Sequence, residues 1–261
     1  MVDIALATAI VGHIATWFLV IATTLGGSHS ARVLASGTAI LVWIAHLMAL
    51  IGTVLGDSPQ SVGNLAGFFL VGGWVVSCLH LYVWFRRKAD VAGWVLPPVA
   101  AMAAVGALRA GTTLSSADPD SGRWLLVHIS LSALALGVLC LAFVMSLLFL
   151  AQDRALKSRQ GMNWVDRLPA LREADRVGQV GLVVGFVLLT AGIASGFIVH
   201  GGVTSEGLTA NPKQAFALLT WLIFAAVIAA RGWLGIRGRR SAYMTIAGFA
   251  LGILTVVGMV P

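Results

Sequence analysis

Of 261 residues, 59% are hydrophobic and 10% are charged, with 17 Lys and Arg against 10 Asp and Glu for a formal net charge of +7. So little charge cannot cover the surface of a water-soluble globule, which excludes a soluble enzyme, a disordered chain and a nucleic-acid-binding module, and leaves a protein whose solvent is the lipid bilayer. Cys78 and Cys140 are the only thiols and share no metal or redox spacing, so a disulfide framework, a zinc site and a thiol relay all lack their ligands.

Charge-free runs place the helices in chain order: Ile4 to Leu25, Val33 to Leu55, Leu65 to Phe85, Val91 to Leu108, Trp124 to Leu150, Val177 to His200, Ala215 to Ala230 and Tyr243 to Val260. Most reach the roughly 20 residues that span a bilayer core. The seventh run is short and is expected to gain a turn by starting nearer Pro212, a residue suited to a first helical position. The first run is expected to stay in place, because Met1-Val2-Asp3 carries no basic residue and the run is longer than the apolar part of a usual signal peptide. The fold expected is an all-α polytopic bundle of about eight transmembrane helices, forming one integral membrane domain over residues 1–261.

The connections set the orientation. Cations fall in alternate loops, and of the 17 only Arg109, Arg123 and Lys213 lie on the minority side. The positive-inside rule makes the cation-rich side cytoplasmic and puts both termini outside, in a multi-pass protein of the cell inner (plasma) membrane. The longest connection, 151–176, is cytoplasmic on this reading. Its stretch from Trp164 to Arg176 mixes apolar and charged residues, as an interfacial helix does and as a solvated linker can. Outer loops cover about 109–123 and 201–213. No Asp, Glu, Lys or Arg lies within the runs, which argues against an ion-coupled transporter.

Histidine is what remains to carry chemistry. Neutral imidazoles in hydrocarbon suit a metal, above all haem iron, whose macrocycle is itself apolar. At about 1.5 Å per residue, His13 and His46 lie at one depth, roughly 14 Å below the outer surface, where two antiparallel helices could clamp one haem between them or with a third helix. His128 and His200 share a second level at the outer interface. His80 lies deeper with no partner at its level, and His29 falls in a cytoplasmic loop. Any one of these rings can instead simply hydrogen-bond a neighbour and pack. Arg109 and Arg123 flank the fourth and fifth runs where they could pair with the propionates of an outer haem, or serve as ordinary interfacial anchors.

The segment Arg123-Trp124-Leu125-Leu126-Val127-His128-Ile129-Ser130-Leu131-Ser132-Ala133-Leu134-Ala135 resembles the part of the cytochrome c assembly protein family, the haem-handling CcsA, HemX and YpjD type, that carries an outward-facing haem-ligand histidine. Asn211-Pro212-Lys213-Gln214-Ala215, followed by Trp221, is similar to the family's tryptophan-rich haem loop and the helix after it. Weaker echoes are Asn64-Leu65 with Trp74, Val95-Leu96-Pro97, and Arg237-Gly238-Arg239-Arg240-Ser241-Ala242. The resemblance implies His128 as an iron ligand, with Trp124 and Trp221 beside the cofactor. Asn211 and Gln214 stand where the family has Asp and Glu, the preceding tryptophans are absent, and Ala229 replaces a histidine of full synthetase components. The resemblance therefore implies reversible binding or conduction of one or two haems b in cytochrome c assembly or haem homeostasis, alongside an assembly partner protein, rather than covalent haem attachment. A b-type membrane cytochrome passing electrons to or from quinone is the alternative, and a haem-free scaffold or transporter is a third.

Overall fold

A computed structural model describes residues 2–27, 29–54, 65–86, 90–110, 119–158, 171–199 and 212–257. Eight long helices follow in order: α1 (Val2–Gly26), α2 (His29–Val54), α3 (Leu65–Phe85), α4 (Leu96–Ala110), α5 (Pro119–Ser158), α6 (Leu171–Val199), α7 (Pro212–Trp233) and α8 (Arg239–Val257), with a short 3-10 helix, Asp90–Trp94, before α4. Among the described residues there is no strand. Seven of these helical stretches are long and apolar enough to cross a membrane; the remaining helix, α8, opens on Arg239 and Arg240 and packs against α7 and α5. The all-α bundle is thus as expected. α7 does begin at Pro212, and α5 runs on to Ser158, past the last residue of its apolar run. His29, expected in a loop, is instead the first residue of α2. Of the 151–176 connection, 151–158 continue α5 and 171–176 open α6; Trp164 lies outside the described residues, as do 111–118 and 200–211 of the outer loops.

The fourth span is broken where the sequence reads as one run. Pro97 and Pro98 sit in the first turn of α4 and have no amide N–H, so the carbonyls of Gly93 and Trp94 lose the donors that a continuous helix would give them. The Trp17 indole on α1 donates to the Trp94 carbonyl at 2.8 Å instead, and the Trp94 indole donates to Thr24 Oγ1 at 2.8 Å. An unmet carbonyl is costly in a membrane, and the Trp17 bond removes that cost at Trp94 while the Trp94 indole ties the break to α1.

The tightest pairing is the antiparallel hairpin of α5 and α6. Along α6, glycines recur at Gly178, Gly181, Gly185, Gly192 and Gly196, and each meets α5 progressively further back: Met145, Ala142, Leu139, Ser132 and His128. Lipid tails are as apolar as leucine, so helices in a membrane gain by close van der Waals contact, which small residues permit. A Cβ on Gly185 would come within 2.6 Å of Leu139 Cγ, so the stripe admits nothing larger there. The main core lies around this hairpin, with Leu139, Met145, Leu182 and Phe224 almost wholly buried. A second cluster of Leu6, Ala49, Leu70, Ala104 and Ala107 joins α1 to α4. Cys140 is buried in the main core, and Cys78 accepts a hydrogen bond from the Trp43 indole at 3.1 Å; both thiols are free.

Candidate functional site

Helices α1, α2 and α3 enclose a group of buried imidazoles. The rings of His13 on α1 and His46 on α2, matched in depth by the sequence, lie with their centroids 5.8 Å apart, inclined at 69°. His46 is fully buried beside the Leu70 backbone of α3, and among the described residues neither of its ring nitrogens makes a hydrogen bond of good geometry. Its ring lies over Gly73 of α3, where a Cβ would come within 2.7 Å of His46 Cε1 and 2.9 Å of Ala103 Cβ on α4. Gly73 is therefore the space that the imidazole occupies.

His13 is held differently. Its Nε2 lies 3.3 Å from Ser77 Oγ, one turn along α3 from Gly73. The single Ser77 hydroxyl proton goes back to the Gly73 carbonyl at 2.9 Å, so Ser77 Oγ accepts and His13 Nε2 carries the proton. That assignment leaves the lone pair on Nδ1, the atom able to ligate a metal in this tautomer.

His80, three residues beyond Ser77 on the same face of α3, is the residue that counting depth from span ends passes over. It is buried, its Nε2 has no hydrogen-bond partner among the described residues, and it faces Gly93 of the 3-10 helix, where a Cβ would stand 3.3 Å away. Its ring centroid is 6.2 Å from that of Trp84, which donates to Ser36 Oγ at 2.9 Å and lies under the Arg32 guanidinium at 4.6 Å. The visible signal for His80 was only its helical spacing from Ser77.

His128 occupies a second, separate place at the N-terminal part of α5. Its Nδ1 donates to the Gly192 carbonyl of α6 at 2.8 Å, with Ser195 Oγ at 3.4 Å, and Gly196 makes room for the ring, since a Cβ there would meet Cε1 at 2.9 Å. A carbonyl accepting from Nδ1 fixes the tautomer, a bond commonly found behind metal-ligating histidines. His200, expected at this level, lies outside the described residues, as do the side chains of Arg123 and Lys213. Arg109 is exposed in the last turn of α4, and Trp124 is exposed on α5. Trp221 donates to Thr190 Oγ1 at 2.9 Å and lies 5.5 Å from Phe186. Thr190 and Gly192 fall on nearly opposite sides of a helix with about 100° per residue, so Trp221 and His128 engage different faces of α6.

The expectation that no charged group lies within the spans needs correction. The seventh charge-free run ends at Ala230, before Arg231, yet α7 continues to Trp233 and Arg231 is 9% exposed. It donates to both Asp175 oxygens at 2.9 Å, to Gln179 Oε1 at 3.2 Å and to Ser241 Oγ at 2.6 Å, tying α6, α7 and α8 together. Pairing is what lets these charges sit at the end of the bundle. Among the described residues no three His, Cys, Asp or Glu side chains converge as a metal cluster.

Residues 1–259 match the family described as Cytochrome C assembly protein. The chain is 26% identical over 256 residues to the Cytochrome c biogenesis protein CcsA of Porphyra purpurea, covering 83% of this chain and 80% of that one. It is 25% identical over 289 residues to the protein of the same name from Pyropia yezoensis, covering 95% and 90%. Against that of Parasynechococcus marenigrum it is 27% identical over 258 residues, covering 84% and 82%. Relatives that match nearly end to end, together with seven helices able to span a bilayer, make this a multi-pass membrane protein that belongs to the cytochrome c assembly protein family.

Proposed function

We propose that this protein binds haem b within the membrane and holds or conducts it in cytochrome c biogenesis. The observation that carries the reading is the meeting of His13 and His46, 5.8 Å between centroids, with both His46 nitrogens lacking hydrogen-bond partners among the described residues. A buried ring nitrogen without a partner loses its water and gains nothing, at about 1–3 kcal/mol, so a site that keeps one suits a ligand that repays it. The donor set suits haem iron: two neutral imidazoles in an apolar surround, with Gly73 leaving room for the His46 ring.

Bound haem supplies an iron centre that accepts two imidazole nitrogens and an apolar macrocycle that the bundle interior can cover. The chain's own contribution is to hold His13 through Ser77, to seat His46 against Gly73, and to keep water from both. His128, its Nδ1 committed to Gly192, would hold a second haem nearer the outer surface, with Arg109 and Arg123 as donors to its propionates. The family supports the setting, a membrane where cytochromes c are assembled, and the charge pattern supports the inner (plasma) membrane with both termini outside. The partner would be another protein of that assembly.

Absorbance of the detergent-purified protein, oxidised and reduced, tests this directly. A Soret band is expected, with matching loss of one haem equivalent in His13→Ala and in His46→Ala, and loss of a different equivalent in His128→Ala. Colourless protein that takes up no added haem overturns the reading. Haem that is held but never passes to a haem-free acceptor protein overturns handling in favour of an electron carrier.

A further inference from the structure

The end of α5 and the turn joining α7 to α8 form an open groove that the haem reading does not use. It is lined by Asp153 and Lys157 of α5, by residues 234–238 of the turn, and by Arg239 and Arg240 at the start of α8. Gly235 and Gly238 adopt φ of 63° and 70°, a conformation that costs a glycine little, and so keep this turn short between two helices. Asp153 takes Lys157 at 2.9 Å and Arg239 at 3.4 Å. Arg237 and Arg240 are both exposed, and among the described residues neither has a carboxylate within ion-pair distance. One carboxylate thus stands among four cations, three of them arginines, whose planar forks pair with phosphate oxygens in a bidentate way.

Beside these cations are two large apolar side chains with nothing over them: Trp233 is 89% exposed and Leu234 is 74% exposed. They close a helix whose Gln214–Trp233 stretch is apolar enough to cross a bilayer. A tryptophan at that position is the residue type that sits at the headgroup level.

We propose that this groove binds the headgroup of an anionic phospholipid, with Arg237 and Arg240 on the phosphate and Trp233 and Leu234 against the glycerol and upper acyl region. A soluble phosphate would satisfy the cations and leave the apolar pair bare. A lipid covers both. The surplus of positive charge selects phosphatidylglycerol or another anionic lipid over the zwitterionic phosphatidylcholine, since each cation near the surface adds roughly fivefold to the attraction.

The test is native mass spectrometry of the detergent-purified protein incubated with equal amounts of phosphatidylglycerol and phosphatidylcholine. The parent protein is expected to retain phosphatidylglycerol preferentially, with the preference falling as salt rises. The double variant Arg237→Gln/Arg240→Gln should lose about tenfold or more of that preference, while the charge-matched control Arg172→Gln/Arg176→Gln keeps it. Trp233→Ala should weaken retention of both lipids. Equal retention of the two lipids by the parent, or a loss in the control as large as in the double variant, overturns the proposal. So does displacement of the lipid by inorganic phosphate with no effect of Trp233→Ala, which would mark a site for a soluble anion.

Discussion

The two halves of the bundle treat buried polar groups in opposite ways. In α5 to α8 they are matched: Arg231 is shared among Asp175, Gln179 and Ser241, and His128 is bonded to the Gly192 carbonyl. In α1 to α3 several are left over, for Thr16 Oγ1, Trp74 Nε1, His80 Nε2 and both nitrogens of His46 are buried without hydrogen-bond partners among the described residues, whereas the C-terminal half shows only Arg231 Nε in that state. A matched half specifies its own packing. A half with unmet donors and acceptors has more to gain from a polar group that meets them, so the two halves differ in how completely their buried hydrogen bonds are made.

The comparison breaks most decisively at Arg231. Arg231→Ala should lower stability by about 3 kcal/mol, read as a fall in the thermal midpoint of the purified protein, because Asp175 is left with only 26% side-chain exposure and no cation. A shift no larger than that of a surface substitution would mean that the three C-terminal helices are held by apolar contacts alone.

Next in size is Gly196→Ala, expected to cost about 2 kcal/mol. Its Cβ would stand 2.9 Å from His128 Cε1, so the ring or the α5–α6 contact must shift. If His128 ligates haem, this variant also perturbs the outer haem spectrum while leaving the His13 and His46 signal unchanged. Equal disturbance of both signals would dissolve the distinction between the halves.

The smallest effect expected, and of opposite sign, is at His80. Replacing it by Leu removes a buried nitrogen that has no partner among the described residues and keeps the volume, so the haem-free protein should gain about 1 kcal/mol in thermal or denaturant unfolding. Destabilisation of that order instead would show that His80 makes a bond that matters, and would remove one of the vacancies on which the comparison rests.

What could be read from sequence follows from what one-dimensional counting measures. Charge-free runs report length in hydrocarbon, and they found the helices. Counting residues from the ends of a run reports depth, and it brought His13 and His46 to one level across two helices. Neither measure reports which way a helix is turned. Ser77 is therefore invisible as the partner of His13, and the resemblance that sets Trp221 beside the cofactor of His128 does not show that the two engage different faces of α6. Arg231 misled for a related reason: a charge is the natural end of an apolar run, and nothing local announces that Asp175, 56 residues earlier, stands ready to receive it. The resemblance carried what geometry could not, namely that the histidines belong to a family concerned with cytochrome c assembly.

The broken fourth span carries a consequence for how the protein is made. Chains enter the membrane in the order of their synthesis, so α1 is already in place when Trp94 and the two prolines emerge. The bare carbonyl that Pro98 creates therefore finds the Trp17 indole waiting, 77 residues upstream and 2.8 Å away in the finished protein. Without the first helix that carbonyl would face hydrocarbon lacking the donor it has in the folded protein, a cost of several kcal/mol in a membrane. The indole at position 17 thus ties the integrity of the fourth span to the presence of the first.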